Sequence, residues 1–159
     1  SIVIRSADPD DAAGACEVVC NSIVHACTRD HLRDPQRLLR WLQNKTVDNF
    51  AAGARTDKSG FIALIDGRAV GIALIDTDGD IRLCYVRAER LGQGIGGGLL
   101  DAMIARACVL QGVTRIHTHS TLAAKGFYQR RGFVAAGAPL AEDGMTSYPL
   151  ALSLGAPLF

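Results

Sequence analysis

The spacing of hydrophobic residues predicts a strand and then helices in the first third of the chain. Residues 2–5 alternate in the manner of a short strand. An Asp-Pro pair at residues 8–9 is a typical helix start, and apolar residues then recur at helical spacing as far as Cys27. A second Asp-Pro pair at residues 34–35 begins a shorter helix, and residues 46–54 carry a weaker helical pattern. This part of the chain is therefore predicted to be mostly helical.

The pattern changes to strands in the middle of the chain. Residues 61–65 and 69–75 are apolar and rich in β-branched side chains. The Asp-Gly-Arg sequence between them predicts a tight hairpin. A turn rich in Asp and Gly then leads to a third predicted strand over residues 81–87.

Helices and strands alternate over the rest of the chain. A glycine-rich loop precedes a helix from about residue 95 to residue 111, and Gly112 suits the end of that helix. We predict a strand over residues 115–119 and a helix over residues 122–131. The last predicted strands cover, in order, residues 133–136 and residues 148–154. The alternation predicts an α/β domain with a mixed sheet.

Length and composition narrow the class of protein. The chain has 159 residues, of which 48% are hydrophobic and 21% charged, as in an ordinary globular domain. It contains no linker or low-complexity tract, so we expect a single domain over residues 1–159. A formal net charge of +1 gives no whole-molecule field to attract nucleic acid or an anionic membrane. We expect a cytoplasmic protein without a signal peptide, because the first residues lack a basic segment followed by an apolar one.

Cysteine and histidine residues do not predict a metal site. The five cysteines form no CxxC pair, and three of them share the apolar face of the first predicted helix, where core packing is the default role. His117 and His119 lie on one face of a predicted strand. Two such rings could bind a metal ion, but no third ligand is evident, so we predict no metal.

The clearest chemical motif is the glycine-rich loop at residues 91–98. It follows a predicted strand and opens a helix. Glycines at a helix start let the backbone approach a phosphate closely, and the unpaired N–H groups and the helix dipole bind the anion. The loop therefore predicts a phosphorylated ligand.

A dinucleotide-binding site is the competing interpretation, since residues 92–97 match G-x-G-x-x-G. That motif belongs in a first βαβ unit, with an acidic residue after the next strand. Here the loop lies past the middle of the chain and follows a hairpin. The next strand ends in Ser120 and Thr121, without an acid. The context therefore disfavours a dinucleotide site.

The loop and the segment after it resemble the GNAT superfamily of acyl-CoA N-acyltransferases. The first family motif, [QR]-x-x-G-x-[GA], corresponds to residues 91–96, with Leu91 where Arg or Gln is usual. The second motif, N-x-x-A-x-x-F-Y-x-x-x-G-F, corresponds to residues 121–133, with Thr121 where Asn is usual. The resemblance implies the GNAT fold: a mixed, mostly antiparallel twisted sheet with splayed central strands, flanked by helices.

The resemblance also implies direct transfer of an acetyl group from acetyl-CoA, as cosubstrate, to a primary amine in a ternary complex. In the family the pantetheine arm inserts where the strand before the loop splays from its neighbour. The implied cofactor-binding residues are Cys84, Tyr85, Val86, Leu91, Gly92, Gln93, Gly94, Ile95, Gly96, Gly97, Thr121, Ala124 and Phe127.

Catalytic roles follow from the same comparison. Tyr128 is the candidate general acid, since a phenol is protonated at neutral pH. Asp80 is a candidate general base, although an Asp at this place also suits a turn. His31 and Trp41 are candidate contacts of the acceptor. The alternative for His31 is a helix-capping role, and the alternative for Trp41 is a packing role.

Two functions remain open on the sequence. One is an active N-acetyltransferase acting on a small-molecule amine. The other is an acyl-CoA-binding regulatory or sensor module with little catalysis, which the departures at Leu91 and Thr121 would fit. A homodimer would suit either, since small homo-oligomers are usually two-fold.

Overall fold

A computed structural model describes residues 1–54 and 58–155 of the chain. The expected single domain also takes in residues 55–57 and 156–159, which lie outside the described ranges. The strands are β1 (Ile2–Ser6), β2 (Ser59–Ile65), β3 (Arg68–Ile75), β4 (Asp80–Val86), β5 (Arg115–Ser120), β6 (Val134–Ala135), β7 (Leu140–Glu142) and β8 (Met145–Ser153). The helices are α1 (Ala12–Ala26), α2 (Thr28–His31), α3 (Pro35–Leu42), α4 (Val47–Gly53), α5 (Ile95–Cys108) and α6 (Leu122–Arg130).

The strands form one open sheet in the order β1-β2-β3-β4-β5-β8-β6, and β7 pairs with β8. Neighbouring strands are antiparallel except for β4 and β5, which are parallel. This parallel pair has two matched positions, Asp80 with His117 and Ile81 with Thr118. Beyond them the two strands separate. The expected mixed, mostly antiparallel sheet flanked by helices is confirmed.

An irregularity in β4 lies where the two strands begin to separate. Ile75 of β3 pairs with Ile81, but Leu74 pairs with Leu83, so Arg82 is an extra residue in β4. A bulge of this kind bends a strand and increases its local twist. No residue of β4 beyond Ile81 has a matched position on β5.

Helices cover both faces of the sheet. On one face α5 and α6 bury a large apolar cluster that includes Leu99, Leu100 and Met103, each fully buried. On the other face α1 packs on β3 and β4 through a second cluster that includes Val19 and Ile23. Along β4, Cys84 and Val86 face α5, whereas Tyr85 faces α1. Side chains on the two faces of β4 therefore pack against two different layers of helices.

The structure differs from the sequence-based elements at several places. Residues 9–11 form a 3-10 turn, so α1 begins at Ala12, and α2 is a separate short helix after Cys27. The sixth strand is limited to Val134–Ala135. Strand β7 was not predicted, because all three of its residues are exposed and give no apolar alternation. It forms a hairpin with β8, which therefore begins earlier than residue 148.

We expect Gly71→Ala to destabilise the protein, because β3 and α5 pack closely at this glycine. A Cβ at Gly71 would lie 2.8 Å from Cδ1 of Leu99 and 2.9 Å from Cγ2 of Ile95. Overpacking of this kind costs about 1–3 kcal/mol. Urea unfolding measures the loss. The matched control is Gly53→Ala, whose Cβ would meet no atom within 4 Å; equal stability of the two variants would contradict the packing argument.

Candidate active site

A cleft of about 570 Å³ opens where β4 and β5 separate. Its walls are residues 81–86 of β4, the glycine loop, the start of α5, the end of β5, the inner side of α6 and the end of α1 with Cys27. Most of the residues expected to bind the cofactor line this cleft: Cys84, Tyr85, Val86, Leu91, Gly92, Gly94, Ile95, Gly96, Gly97, Thr121, Ala124 and Phe127. Gln93 is not among the lining residues. Tertiary structure thus brings together residues that are far apart in the sequence.

The glycine loop presents backbone N–H groups to the cleft. Gly92 and Gly94 have φ values of 79° and 84°, which a side chain would disfavour. Gly94 is the N-cap of α5 and offers no side chain to cap the helix. The first N–H groups of a helix have no intrahelical partner. Ile95, Gly96 and Gly97, which carry these groups, line the cleft and can therefore bind an anion.

Residues of α6 and its C-terminal end pack directly against the start of α5. A Cβ on Gly96 would lie 3.3 Å from the ring of Phe127, and one on Gly97 would overlap the guanidinium of Arg131. Arg131 also lies over the Phe127 ring at 5.7 Å and forms an ion pair of 3.3 Å with Asp101. A cation is therefore held beside the loop. No local pattern in the sequence indicates a role for Arg131, because its position depends on how the two helices pack.

Tyr128 is buried at the centre of the cleft wall. Its side chain is 3% exposed, and its ring packs against Phe127 and Phe133 with centroid separations of 5.2 and 5.0 Å. Burial, together with the nearby Cys84 thiol, raises the pKa of Tyr128 well above its usual value. The phenol is therefore protonated at neutral pH. Both neighbours of its hydroxyl, Thr118 and Cys84, line the same cleft.

Cys84 is the β4 residue that faces Tyr128. Burial raises the pKa of this thiol to about 12, and interaction with the Tyr128 hydroxyl opposes that increase. The thiol is therefore neutral at physiological pH. A neutral thiol is a poor nucleophile, so the cleft does not present an activated cysteine at this position.

Asp80 lies behind the cleft, in a network of charged side chains. Its carboxylate oxygens are 3.2 Å from Nε of Arg82 and 3.0 Å from Nδ1 of His117. Nε of Arg82 is also 3.1 Å from Asp76, which in addition accepts hydrogen bonds from two turn N–H groups. Asp80 is not among the residues that line the cleft. Its proposed role as a base stays a prediction.

His31 and Trp41 lie on the far side of β4, beneath α1. Nδ1 of the buried His31 accepts from the Arg33 N–H at 2.9 Å, so its Nε2 is the donor to the Ile23 carbonyl oxygen at 3.0 Å. Trp41 meets the His31 ring edge-on at 6.4 Å and packs near Tyr85. Neither side chain lines the cleft. Their assignment to the acceptor stays a prediction, and the contacts of His31 favour a structural role.

The N-terminus of α6 is capped twice. The hydroxyl of Thr121 accepts from the Ala124 N–H at 3.0 Å. The carboxylate of Asp30 accepts from the N–H groups of Leu122 and Ala123 at 2.6 and 3.1 Å. The sequence analysis did not assign this role to Asp30, which lies on α2, more than ninety positions earlier in the chain. Asp30 thus joins the helical layer to the helix that carries Tyr128.

Asn21 supports the segment before the glycine loop. Its side-chain oxygen accepts from the Ala88 N–H at 2.8 Å, immediately before the loop. The same layer of helices therefore positions both ends of the cleft.

Two further findings concern the described residues as a whole. Within residues 1–54 and 58–155, no group of three or more His, Cys, Asp or Glu side chains could hold a metal ion. Over the same ranges, no helix has both the length and the apolar character needed to cross a membrane.

A family model described as an acetyltransferase (GNAT) domain matches residues 34–154 of the chain. This match contains β2 to β5 and the helices α5 and α6. No curated protein sequence matches the chain significantly.

Solved structures of N-acetyltransferases share the fold along nearly the whole chain. The GCN5-related N-acetyltransferase from Rhodopseudomonas palustris has a TM-score of 0.85 at 23% identity, covering 97% of this chain and 96% of that one. The PaiA N-acetyltransferase from Thermoplasma acidophilum, in complex with coenzyme A, has a TM-score of 0.74 at 16% identity, covering 97% and 99%. The ribosomal-protein-S18-alanine N-acetyltransferase from Escherichia coli has a TM-score of 0.68 at 19% identity, covering 100% and 99%. At these identities the likeness establishes the fold.

We expect Asp30→Ala to destabilise the protein by roughly 1–2 kcal/mol, because two N–H groups at the start of α6 lose their acceptor. Urea unfolding measures the change. Asp10→Ala is the matched control, since Asp10 is exposed in the middle of the 3-10 turn over Pro9–Asp11. If both variants unfolded at the same urea concentration as the parent protein, Asp30 would have no capping role.

Proposed function

The chain belongs to the GNAT acetyltransferase family, and from that premise we propose that it transfers an acetyl group from acetyl-CoA to a primary amine by direct attack. The observation that carries the proposal is the cleft between β4 and β5, which joins an anion-binding loop to a buried, protonated tyrosine. The acceptor is proposed to be a small-molecule amine. The R. palustris, T. acidophilum and E. coli proteins share this fold and are N-acetyltransferases.

The residues present suit the two ends of acetyl-CoA. The N–H groups of Ile95, Gly96 and Gly97 suit the pyrophosphate, and the guanidinium of Arg131 beside them adds a positive charge. The edge of β4 that faces the cleft is unpaired with β5 beyond Ile81, so its backbone can bind the amide groups of pantetheine. The thioester would then lie near Cys84, between β4 and Tyr128.

Tyr128 is proposed to be the general acid. The reaction breaks the bond between the acetyl carbon and sulfur, and the departing thiolate needs a proton. The raised pKa of the buried phenol keeps that proton in place until the thiolate forms. The hydroxyl faces the cleft beside Cys84, where the sulfur is expected.

The cleft favours direct attack over an acetyl-enzyme intermediate. An acetyl-cysteine would require a thiolate, and Cys84 has its pKa raised to about 12 by burial. The amine therefore attacks the thioester itself, within a complex of protein, acetyl-CoA and acceptor. Backbone N–H groups on the open edge of β4 are the fixed donors available to the carbonyl oxygen during that attack.

A binding module without catalysis is the second candidate function. Leu91 is 55% exposed where the family usually has Arg or Gln, and the Thr121 hydroxyl is engaged in capping α6. Both departures remove ligand contacts that an efficient enzyme would be expected to keep. Turnover distinguishes the two functions, because a sensor module binds acetyl-CoA without acetylating amines.

Calorimetric titration with acetyl-CoA, with NADH and NADPH as controls, tests the ligand assignment. We expect acetyl-CoA to bind, because the loop presents phosphate-binding N–H groups. We expect NADH and NADPH not to bind, because no acidic residue directly follows β5 to hold the ribose of a dinucleotide. Turnover is then tested with a panel of primary amines in the presence of acetyl-CoA. The quantity measured is release of the CoA thiol. Preferential binding of a dinucleotide would refute the proposal.

We expect Tyr128→Phe to lower kcat by about 100-fold or more, which is the usual loss when a general acid is removed. Binding of acetyl-CoA should change little, because the hydroxyl lies away from the glycine loop. The assay is release of CoA thiol with the best amine of the panel. Tyr148→Phe is the matched control, since Tyr148 packs under Lys125 and does not line the cleft. An unchanged kcat for Tyr128→Phe would exclude its acid role.

A further inference from the structure

We propose that His119, rather than Asp80, is the general base that removes the proton from the attacking amine. This inference rests on the proposed acetyltransferase function and adds to it the residue that activates the acceptor. It also fixes the face of the sheet from which the acceptor approaches.

The alternation of β5 places His119 opposite Tyr128. Ile116, Thr118 and Ser120 are buried, and Ile116 belongs to the cluster under α5 and α6. His117 and His119 therefore point to the other face of the sheet, where α1 lies. His119 is exposed and lines the cleft at the place where β5 has left β4.

His119 and Tyr128 thus border the same cleft from opposite faces of the sheet. The gap between β4 and β5 lets both side chains reach one ligand between the strands. An amine that enters from the face of α1 meets His119, while the sulfur leaves on the face of α6 beside Tyr128. The amine therefore attacks on one side of the sheet and the sulfur departs on the other. The proton transfer at His119 is thus separated from the proton transfer at Tyr128.

Asp80 is poorly placed for the same task. Both of its oxygens are engaged, one with Nε of Arg82 and the other with Nδ1 of His117. It pairs with His117 at the first of the two matched positions of the β4–β5 ladder, before the opening. His119 lies beyond that point. An imidazole is also the side chain that ordinarily changes its charge between about pH 5 and pH 8, as a base for an ammonium group requires.

The steps balance in atoms and charge. The ammonium form of the acceptor gives one proton to the His119 imidazole, and the lone pair of the neutral amine forms the bond to the acetyl carbon. The carbon–sulfur bond breaks, and Tyr128 gives its hydroxyl proton to the thiolate. The second proton of the nitrogen restores the phenol, and the imidazolium releases its proton to solvent. The net products are the acetamide, the CoA thiol and one proton.

The other ionisable side chains among the lining residues of the cleft are cysteines, tyrosines and arginines. Burial raises the pKa of Cys27 and of Cys84 to about 12 each, and raises the pKa of Tyr85 and Tyr128. Arginine has no acceptor atom and does not serve as a base in proteins. From α2, Asp30 is bound to the first N–H groups of α6. The neighbouring titratable pair on the face of His119 is His117 with Asp80, and it supplies the matched control.

The test compares His119→Gln with His117→Gln in kcat/KM for acetyl transfer over pH 5 to 9, together with the affinity for acetyl-CoA. We expect His119→Gln to lose roughly 100-fold in kcat/KM and to lose the fall in rate on the acidic side that an imidazole base produces. An acceptor amine of low pKa is already neutral and needs no base. The loss of kcat/KM in His119→Gln should therefore be smaller with such an amine. His117→Gln should keep the acidic limb, and both variants should bind acetyl-CoA as the parent protein does.

An acidic limb that persists in His119→Gln, or one that disappears in His117→Gln instead, would overturn the inference alone. A defect in His119→Gln that is equally large for amines of low pKa would do the same, because it would indicate a structural effect. If the parent protein binds acetyl-CoA but acetylates no amine, the proposed function fails and the base assignment fails with it.

Discussion

The separation of β4 from β5 is the constraint on which the rest of the site depends. The two strands run parallel and keep two matched positions, ending at Ile81 and Thr118. The extra residue at Arg82 bends β4 at this point. Past it, backbone edges and side chains from both faces of the sheet border one cleft. A fully paired ladder would close the cleft and separate Tyr128 from His119.

Packing on both faces holds the strands in this arrangement. Helix α5 buries Leu99 against β3 at Gly71, where the missing Cβ lets the helix approach closely. The close approach also fixes the start of α5 and therefore the direction of its N–H groups. Asp30 connects α2 to the N-terminus of α6, so the helical layer on one face positions the helix on the other.

Charge is distributed unevenly around the cleft. Its interior carries groups that burial keeps neutral, Cys84 and Tyr128 among them. Charged groups lie at its ends, with Asp80 and Arg82 below the opening and Arg131 beside the glycine loop. This distribution suits a ligand with a phosphorylated end and an uncharged thioester end. With this distribution of charge, the proton transfers are carried out by side chains that line the cleft.

The sequence by itself determined most of the order of strands and helices and the glycine loop, and it pointed to Tyr128, which lines the cleft. These features are encoded between near neighbours, through the period of apolar residues and the φ values that glycine allows. Only the tertiary structure decided the cap from Asp30 and the place of Arg131 over Gly97. It also decided which ionisable residues of β4 and β5 reach the cleft. Those contacts join residues far apart in the chain, and strand register and helix packing, not local pattern, determine which side chains meet.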